Sequence, residues 1–461
     1  MSIIHSEGFV TTVFNMVSNN RIKYQSAFGS IQYYFIFSIF MVLSASSISR
    51  SQWIEDRAID QRVQRCIDEL YNFEFDKAES DISEVIKLSP EHPVGYFFRA
   101  MIQWERIISK FDDESQDEKL YKLLDVVVDV CEKRLDENPD DVAAMFFKGG
   151  AVGFRGRLRS NRGKWLGAVN DGMVALPLVR KAYELEPNNY DVLLGIGIYN
   201  YYAAVIPGKY PIVKPAMIFF PSGDRKKGLE QLRQASLHGK YAQVEATYFL
   251  MQNYFTYEKD YTQALELARK LHEKYPKNSM FYRYLGRCLV STGYLGEAND
   301  IFIDIKTRYT QQQLGYDMYD ARESYYYIGK FEFLAGRFDT ALKNLYACDE
   351  ISRKLDKEEP SGFMSLGNLI IGMIYDAQGK RYDAMEQYKK VLTMKEYENS
   401  YQDAKIYLQQ PYIRSKRKFK YSFLLSSLHS PLCLADPSLF RAKAGLHYFR
   451  KRSLRLVPDL F

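Results

Sequence analysis

Apolar residues recur at intervals of three and four positions along the chain from Trp53 onward, with polar residues between them. This spacing places apolar side chains on one face of a helix, whereas a half-buried strand alternates apolar and polar residues. No stretch of the sequence sustains such alternation. The pattern therefore predicts an all-α chain built from many short helices.

One arrangement of small and bulky residues recurs within this helical pattern. Its clearest copy has the spacing of a helix, a tight turn and a second helix: Leu285, Gly286, Gly293, Ala298, Phe302. Further copies contain Tyr261, Ala264 and Pro276; Gly329, Gly336, Phe338, Ala341 and Leu345; Gly372, Tyr375, Gly379, Ala384 and Tyr388; Phe75, Ala78, Ile82 and Pro90; and Ala175, Val179, Ala182 and Pro187. Ala264 and Ala298 are 34 positions apart, and the next two steps are 43 residues each. One helix pair cannot bury its apolar face alone, so neighbouring pairs must stack.

These residues resemble the tetratricopeptide repeat superfamily, whose period is about 34 residues, over most of Ile59 to Tyr412. The resemblance implies an all-α solenoid of stacked antiparallel helix pairs wound into a right-handed superhelix. It also implies a protein or peptide partner in the concave groove, which the first helix of each pair would line. The chain departs from the family in that no unit carries the Trp of the motif.

The first of two irregular stretches runs from Lys148 to Trp165 and is rich in glycine. A phosphate-binding loop would need Ser or Thr after its Gly-Lys, but Lys164 is followed by Trp165, and no strand precedes the loop. Closely packed helices, with glycine permitting the backbones to approach, explain the composition better. We expect Arg155 and Arg157 to be candidate contacts for an acidic protein partner.

The second irregular stretch, Tyr199 to Leu232, contains four prolines and should form short pieces rather than one long helix. Asp224 suits the start of the following helix as its cap. The stretch is similar to a segment in a subset of tetratricopeptide proteins that includes outer-mitochondrial-membrane relatives, through the residues Gly223, Asp224, Arg225, Gly228 and Leu229. Such an insert could complete the core, cover the groove or touch a membrane. The candidate partner-binding residues here are Tyr199, Tyr201, Tyr202 and Arg225.

Composition and charge narrow the classes of function. The chain is 46% hydrophobic and 26% charged, which is enough apolar surface for a large folded core. Its net charge of +6 comes from the segment after Tyr412, where 11 Lys or Arg face 2 Asp, and the rest is close to neutral. A nearly neutral body lacks the basic stripe of a nucleic-acid-binding protein. We therefore expect no nucleic-acid partner.

The N-terminal residues include an apolar run, Ile31–Ala45, preceded by Arg21 and Lys23 and followed by Ser46. This layout is typical of a signal peptide. The run is shorter than the stretch of about 20 apolar residues that a membrane span needs. The alternatives are an uncleaved anchor and a buried apolar helix. The predicted organisation is a signal peptide or anchor at 1–47, a repeat domain at 53–412 with inserts at 148–165 and 199–224, and a basic tail at 413–461 that could be disordered, contact a membrane or be non-native.

The sequence contains no motif for catalysis, cofactor binding or metal binding. The six histidines and five cysteines are scattered, without an H-E-x-x-H or C-x-x-C pair, and no G-x-S-x-G is present. The pattern thus favours a non-enzymatic interaction scaffold that needs no cofactor and is exported to the periplasm or outer membrane. The alternatives are a cytoplasmic scaffold anchored by residues 31–45, and a small-ligand binder or enzyme with a pocket beneath the proline-rich insert.

Overall fold

The structure, a computed structural model, describes residues 54, 56–111, 113–209, 220–357 and 360–414. These residues all belong to the unit Trp53–Phe461. Within them the α-helices are α1 (Arg57–Tyr71), α2 (Phe75–Leu88), α3 (Pro93–Ile108), α4 (Asp117–Glu137), α5 (Val142–Asn161), α6 (Trp165–Leu185), α7 (Val192–Lys209), α8 (Arg225–His238), α9 (Gln243–Asn253), α10 (Tyr261–Lys274), α11 (Ser279–Thr292), α12 (Leu295–Thr310), α13 (Met318–Ala335), α14 (Phe338–Leu355), α15 (Gly362–Ala377), α16 (Arg381–Leu392) and α17 (Ser400–Gln409). A π-helical turn, Tyr254–Glu258, follows α9. The described part of the chain contains no strand.

Consecutive helices pack as pairs, α1 with α2 through α15 with α16, and each pair also contacts the next. This arrangement is a tetratricopeptide-like solenoid of stacked helix pairs, and the predicted fold class is confirmed. A glycine of the first helix lies against a bulky side chain placed 16 positions later on the second, as at Gly286 with Phe302, Gly329 with Leu345 and Gly372 with Tyr388. A Cβ on Gly372 would lie 2.5 Å from the Tyr388 ring, so only glycine permits this approach.

The turns within these pairs use glycine for a different reason. Gly293, Gly336 and Gly379 follow the first helix of their pairs and have φ values of 85°, 80° and 75°. In this left-handed region the Cβ of other residues meets backbone atoms, whereas glycine ends the helix without that strain. The recurrent glycines of the sequence are thus explained by helix contact and by helix termination.

Helix α1 does more than pack against its neighbour, because it also contacts loops far along the chain. Asp60 accepts a 2.8 Å hydrogen bond from the Tyr241 hydroxyl, and Asp68 accepts one of 3.0 Å from Tyr275. The Asn278 side chain donates to the carbonyl of Tyr71 at 3.1 Å. These partners lie in the loops before α9 and α11. The first helix therefore closes the solenoid onto its middle.

In six of the eight described helix pairs most residues of the first helix are buried, whereas fewer than half are buried in α1 and α7. Nine of the eleven residues of α9 and twelve of the sixteen of α15 are buried. Binding of a partner in the groove stays a prediction, and the exposed surface lies mainly on the second helices.

The structure describes the first irregular stretch completely and the second in part. The first forms the continuous helix α5 and a turn at Gly163; Gly149 faces Val179 and Gly156 faces Asp171, each across a close helix contact, as predicted. In the second, α7 ends at Lys209 and α8 begins after the cap Asp224, whose side chain accepts from Lys227 N at 3.0 Å.

Three predicted segments lie wholly or partly outside the described residues: the apolar run Ile31–Ala45, the part of the proline-rich insert from 210 to 219, and most of the basic tail, from residue 415 onward. Among the helices that the structure describes, none combines the length and the apolar character needed to cross a membrane.

Candidate docking surface

Arg155 joins three helices through two carboxylates of the chain itself. Its guanidinium donates to Asp171 of α6 at 3.0 Å and to Asp125 of α4 at 2.9 Å. Arg159 donates to the second oxygen of Asp171 at 2.7 Å. Asp171 is buried, so its charge is balanced by both arginines rather than by water. Contact of Arg155 with an acidic partner stays a prediction, and in this structure its bonds fix α6 to α5.

Arg157 lies in a buried polar cluster inside the solenoid. Its guanidinium is 3.8 Å from the carboxylate of Glu245, and it stacks on Trp104 and Phe249 with distances of 4.9 Å and 5.1 Å to the ring centroids. A planar guanidinium suits such stacking better than an ammonium would. Because Arg157 is buried, a partner could reach it only after the packing around it had opened.

Glu105 belongs to the same cluster, which we call the interior acid cluster (Glu105, Arg157 and Glu245). Burial, together with the negative charge of Glu245, raises the pKa of Glu105 to about 8, and the positive charge of Arg157 opposes this increase. Burial likewise raises the pKa of Glu245. The three residues come from α3, α5 and α9, so no local sequence pattern could have indicated that they meet.

Tyr201 and Arg225 share one carboxylate near the proline-rich insert. The Tyr201 hydroxyl donates to Glu258 at 2.7 Å, and Nε of Arg225 donates to the same oxygen at 2.7 Å. Burial alone would raise the pKa of Glu258, but these hydrogen bonds lower it instead. Tyr201 and its neighbour Tyr202 are buried, while Arg225 remains half exposed. Their roles in partner binding stay predictions, and in this structure Tyr201 and Arg225 attach α7 and α8 to the π-helical turn.

Tyr199 marks the place where the insert meets α6. Its hydroxyl donates to the carbonyl of Pro221, and its ring packs on a buried apolar cluster of α7, α8 and α9 that Val179 of α6 also contacts. Phe220, at the end of the insert, packs against α6: a Cβ on Gly172 of that helix would be 3.6 Å from the Phe220 ring. Of the predicted residues, Arg155 thus binds α6 directly, whereas Tyr199 shares an apolar cluster with Val179 of that helix.

The outward side of α6 is apolar, unlike a typical exposed helix face. Leu166, Val174 and Met173 are 85%, 47% and 42% exposed. From Trp165 to Val179 the only charged residue is Asp171, which is buried. Leu166 and Met173 are seven residues apart, so they share one face of the helix. We call this surface the α6 face (Leu166, Met173 and Val174). Exposed apolar side chains gathered on one face are a feature of interaction sites.

Basic residues lie at both ends of the α6 face. Lys164 precedes the helix, and Arg180 follows the apolar stretch; both are exposed. The Lys227 ammonium, from α8, lies 5.4 Å from the ring centroid of Tyr183 on α6. Glu184 is the exposed acidic residue near the C-terminal end of the helix. The surface therefore combines an apolar centre with a mainly positive border. In the sequence, this surface is indicated by a stretch with a single charged residue in α6, the second helix of its pair.

Comparison with known proteins adds a limited likeness. No protein-family model and no curated protein sequence matches the chain. Similar solved structures include yeast Tom70, which is 13% identical, with 76% of this chain and 88% of that chain covered and a TM-score of 0.33. They also include a tetratricopeptide repeat protein from Parabacteroides merdae, which is 13% identical, with 76% of this chain and 98% of that chain covered and a TM-score of 0.24. A third is the TPR domain of P58(IPK), which is 13% identical, with 77% of this chain and 98% of that chain covered and a TM-score of 0.22. TM-scores this low carry no argument about this chain, whose fold is established by its own helix pairs.

Proposed function

We propose that the chain is a non-enzymatic scaffold that binds a protein partner on the α6 face. The observation that carries this proposal is the exposure of Leu166, Met173 and Val174 on a helix without exposed charge between Trp165 and Val179. Burying such a surface would release about 25 cal/mol for each Å² of apolar area removed from water. The α6 face is therefore a better docking surface than the buried first helices.

The border of the face indicates the chemistry of the partner. Lys164, Arg180 and Lys227 would attract acidic side chains, and complementary charges mainly accelerate and orient association. The partner that fits is a segment with apolar side chains at its centre and Asp or Glu at its ends. An amphipathic helix has this character when its apolar stripe faces α6.

The cysteines of the described residues support a role without nucleophilic catalysis. Burial raises the pKa of Cys131, Cys288 and Cys348, each to about 12, so these side chains remain thiols at neutral pH. A thiol is a much weaker nucleophile than a thiolate. These residues fill the core as small apolar groups.

Site-specific photo-crosslinking tests the docking surface directly. A benzophenone amino acid placed at Leu166 or Val174 should crosslink a discrete partner in cells that express the full chain. The matched control is the same amino acid at Leu88, which is 57% exposed on α2. Met173→Asp should abolish crosslinking from Leu166. Equal crosslinking from Leu88, or none from either α6 position, would contradict the proposal.

We also propose that the scaffold is exported, with Ile31–Ala45 as a cleaved signal peptide. The support is the sequence pattern of a basic segment, an apolar run and small residues. Sequencing the N-terminus of the protein from separated envelope and cytosolic fractions tests this. A mature chain that begins shortly after Ala45 in the envelope agrees with export. An intact N-terminus in a membrane fraction indicates the anchored alternative, and an intact chain in the cytosol contradicts both.

A further inference from the structure

A proline inside α6 interrupts the hydrogen bonds of that helix. Pro177 lies within the helix, which continues through it from Trp165 to Leu185. Proline has no backbone N–H, so Pro177 cannot donate to the carbonyl four positions earlier, which belongs to Met173. The Met173 carbonyl therefore has to accept from a donor other than the regular helical one.

This carbonyl belongs to the exposed side of the helix. In an α-helix each carbonyl points toward the N–H four positions later, on the same side of the helix. Met173 and Pro177 are both exposed. The other side of α6 is closely packed, because a Cβ on Gly149 of α5 or on Gly195 of α7 would lie 3.2 Å and 3.1 Å from Val179. The α6 face thus presents a backbone acceptor among its apolar side chains.

A backbone acceptor changes what the α6 face can bind tightly. In the free protein, water can donate to the carbonyl at this exposed position. A partner that covered the carbonyl with apolar atoms alone would remove that water and leave a buried acceptor without a donor, which weakens binding. A partner that supplies a donor at this point avoids the loss. The face therefore selects for a hydrogen-bond donor within an otherwise apolar contact.

The surrounding side chains favour a donor that is part of an aromatic ring. The thioether of Met173 makes favourable contacts with ring edges. Arg180 is exposed, lies three positions after Pro177 and can place its guanidinium over a ring. A lysine or arginine of the partner would instead be repelled by the basic border of the face.

Among aromatic side chains, tryptophan matches a single acceptor best. Its indole N–H is a donor only, whereas a tyrosine hydroxyl also brings an acceptor that needs a partner of its own. Its ring is the strongest of the three for contact with a cation. It also buries a large apolar area, and it is enriched among the residues that dominate binding energy at interfaces.

We propose that the docking partner inserts a tryptophan whose indole N–H donates to the carbonyl of Met173. The inference rests on the proposed function, because it names the residue with which the partner binds the α6 face. The ring of that tryptophan lies over Pro177, between the side chains of Met173 and Arg180. An amphipathic helix with acidic ends carries it on the apolar stripe.

Indole and 1-methylindole test the hydrogen bond, because they share one ring system and differ in the N–H. Their binding to the full chain can be followed by NMR with ¹³C-labelled methionine methyl groups, where Met173→Leu identifies the signal of Met173. Indole should bind there roughly three- to tenfold more tightly than 1-methylindole, as expected for one hydrogen bond. Equal affinities would overturn the proposal.

Two matched proline variants test which carbonyl accepts the bond. Pro177→Ala supplies the missing N–H within α6, so the preference for indole over 1-methylindole should disappear. The control is Pro207→Ala, which makes the same change at the proline inside α7 and should leave the preference intact. Circular dichroism should show that both variants remain helical. A preference that persists in Pro177→Ala, or is lost equally in both variants, would refute the assignment.

Crosslinking in cells separates this inference from docking itself. The partner peptide joined to a benzophenone amino acid at Val174 should contain tryptophan, which mass spectrometry of the crosslinked peptide determines. A discrete partner whose crosslinked peptide lacks tryptophan would leave docking on the α6 face intact and overturn the inference. Absence of any crosslink would contradict the docking on which the inference rests, so the two failures are distinct.

Discussion

The hydroxyl of Tyr71, at the end of α1, donates a 2.8 Å hydrogen bond to Oε1 of Glu245 on α9. These residues are 174 positions apart in the chain. Tyr71 is buried, and the Glu245 side chain is almost completely enclosed. This bond thus links α1 to the interior acid cluster and to the middle of the solenoid.

We expect Tyr71→Phe to lower the free energy of unfolding by about 1–3 kcal/mol, because a buried carboxylate oxygen loses its donor. Urea unfolding monitored by circular dichroism measures this change. The control is Tyr382→Phe, at a position 77% exposed, which should change stability by less than about 0.5 kcal/mol. Equal stability of the two variants would show that the Tyr71 bond contributes nothing.

Glu105 should make the stability of the chain depend on pH. Its pKa is about 8 in the folded protein, above the ordinary value of 4.5, so between these values the folded chain retains a proton that the unfolded chain releases. The unfolding free energy should therefore decrease as pH rises through this window, by up to about 1.4 kcal/mol per pH unit.

Glu105→Gln should reduce this slope, because glutamine has no proton to lose. Urea unfolding of both proteins across the interval tests the prediction, and the difference between them isolates Glu105 from Glu245. A difference that does not change with pH would be inconsistent with a raised pKa.

Gly228→Ala should destabilise the chain by about 1–3 kcal/mol through overpacking. A Cβ at Gly228 would lie 2.5 Å from the backbone nitrogen of Tyr201, and backbone cannot move aside as a flexible side chain can. Gly153 on α5 is the control, since a Cβ there meets nothing within 4 Å. Gly153→Ala should raise stability by about 0.5–1 kcal/mol. Thermal unfolding of the two variants should show shifts of opposite sign.

Asp171→Ala should loosen α6 more than the rest of the chain. It would leave Arg155 and Arg159 without their shared carboxylate, while both retain access to solvent, so we expect a loss of at most about 3 kcal/mol. Hydrogen exchange followed by mass spectrometry should show faster exchange in α6 and little change in α13. Asp129→Ala, at an exposed position on α4, is the control. Uniform acceleration throughout the chain would argue against a local role.

The helix pairs could be predicted from the sequence because their signals are local. The contacts of Gly286 with Phe302 and Gly329 with Leu345 span 16 residues and repeat with the same residue types. The glycines in the second irregular stretch also have a physical explanation. Gly223 and Gly228 face α7, and a Cβ on either would lie within 2.5 Å of a backbone atom of that helix. A single sequence could indicate small residues there, but not the helix that they approach.

The interior acid cluster and the closure by α1 could not be predicted in this way. Glu105, Arg157 and Glu245 meet only because small rotations between successive pairs add up along the solenoid. Individual helix propensities and repeat spacing do not determine that sum. For the same reason the sequence identified Arg157 as a candidate binding residue, although the fold places it inside.

Closure by α1 has a consequence for how this protein could have changed by duplication. In an open array of repeats, one unit can be gained or lost with little effect on distant units, because each contacts only its neighbours. Here Asp60, Asp68 and Tyr71 must reach partners in the loop before α9, on α9 itself and in the loop before α11. Inserting or deleting a helix pair between α2 and α8 would move all of these partners at once. The number of repeats in this segment is therefore fixed by its own geometry.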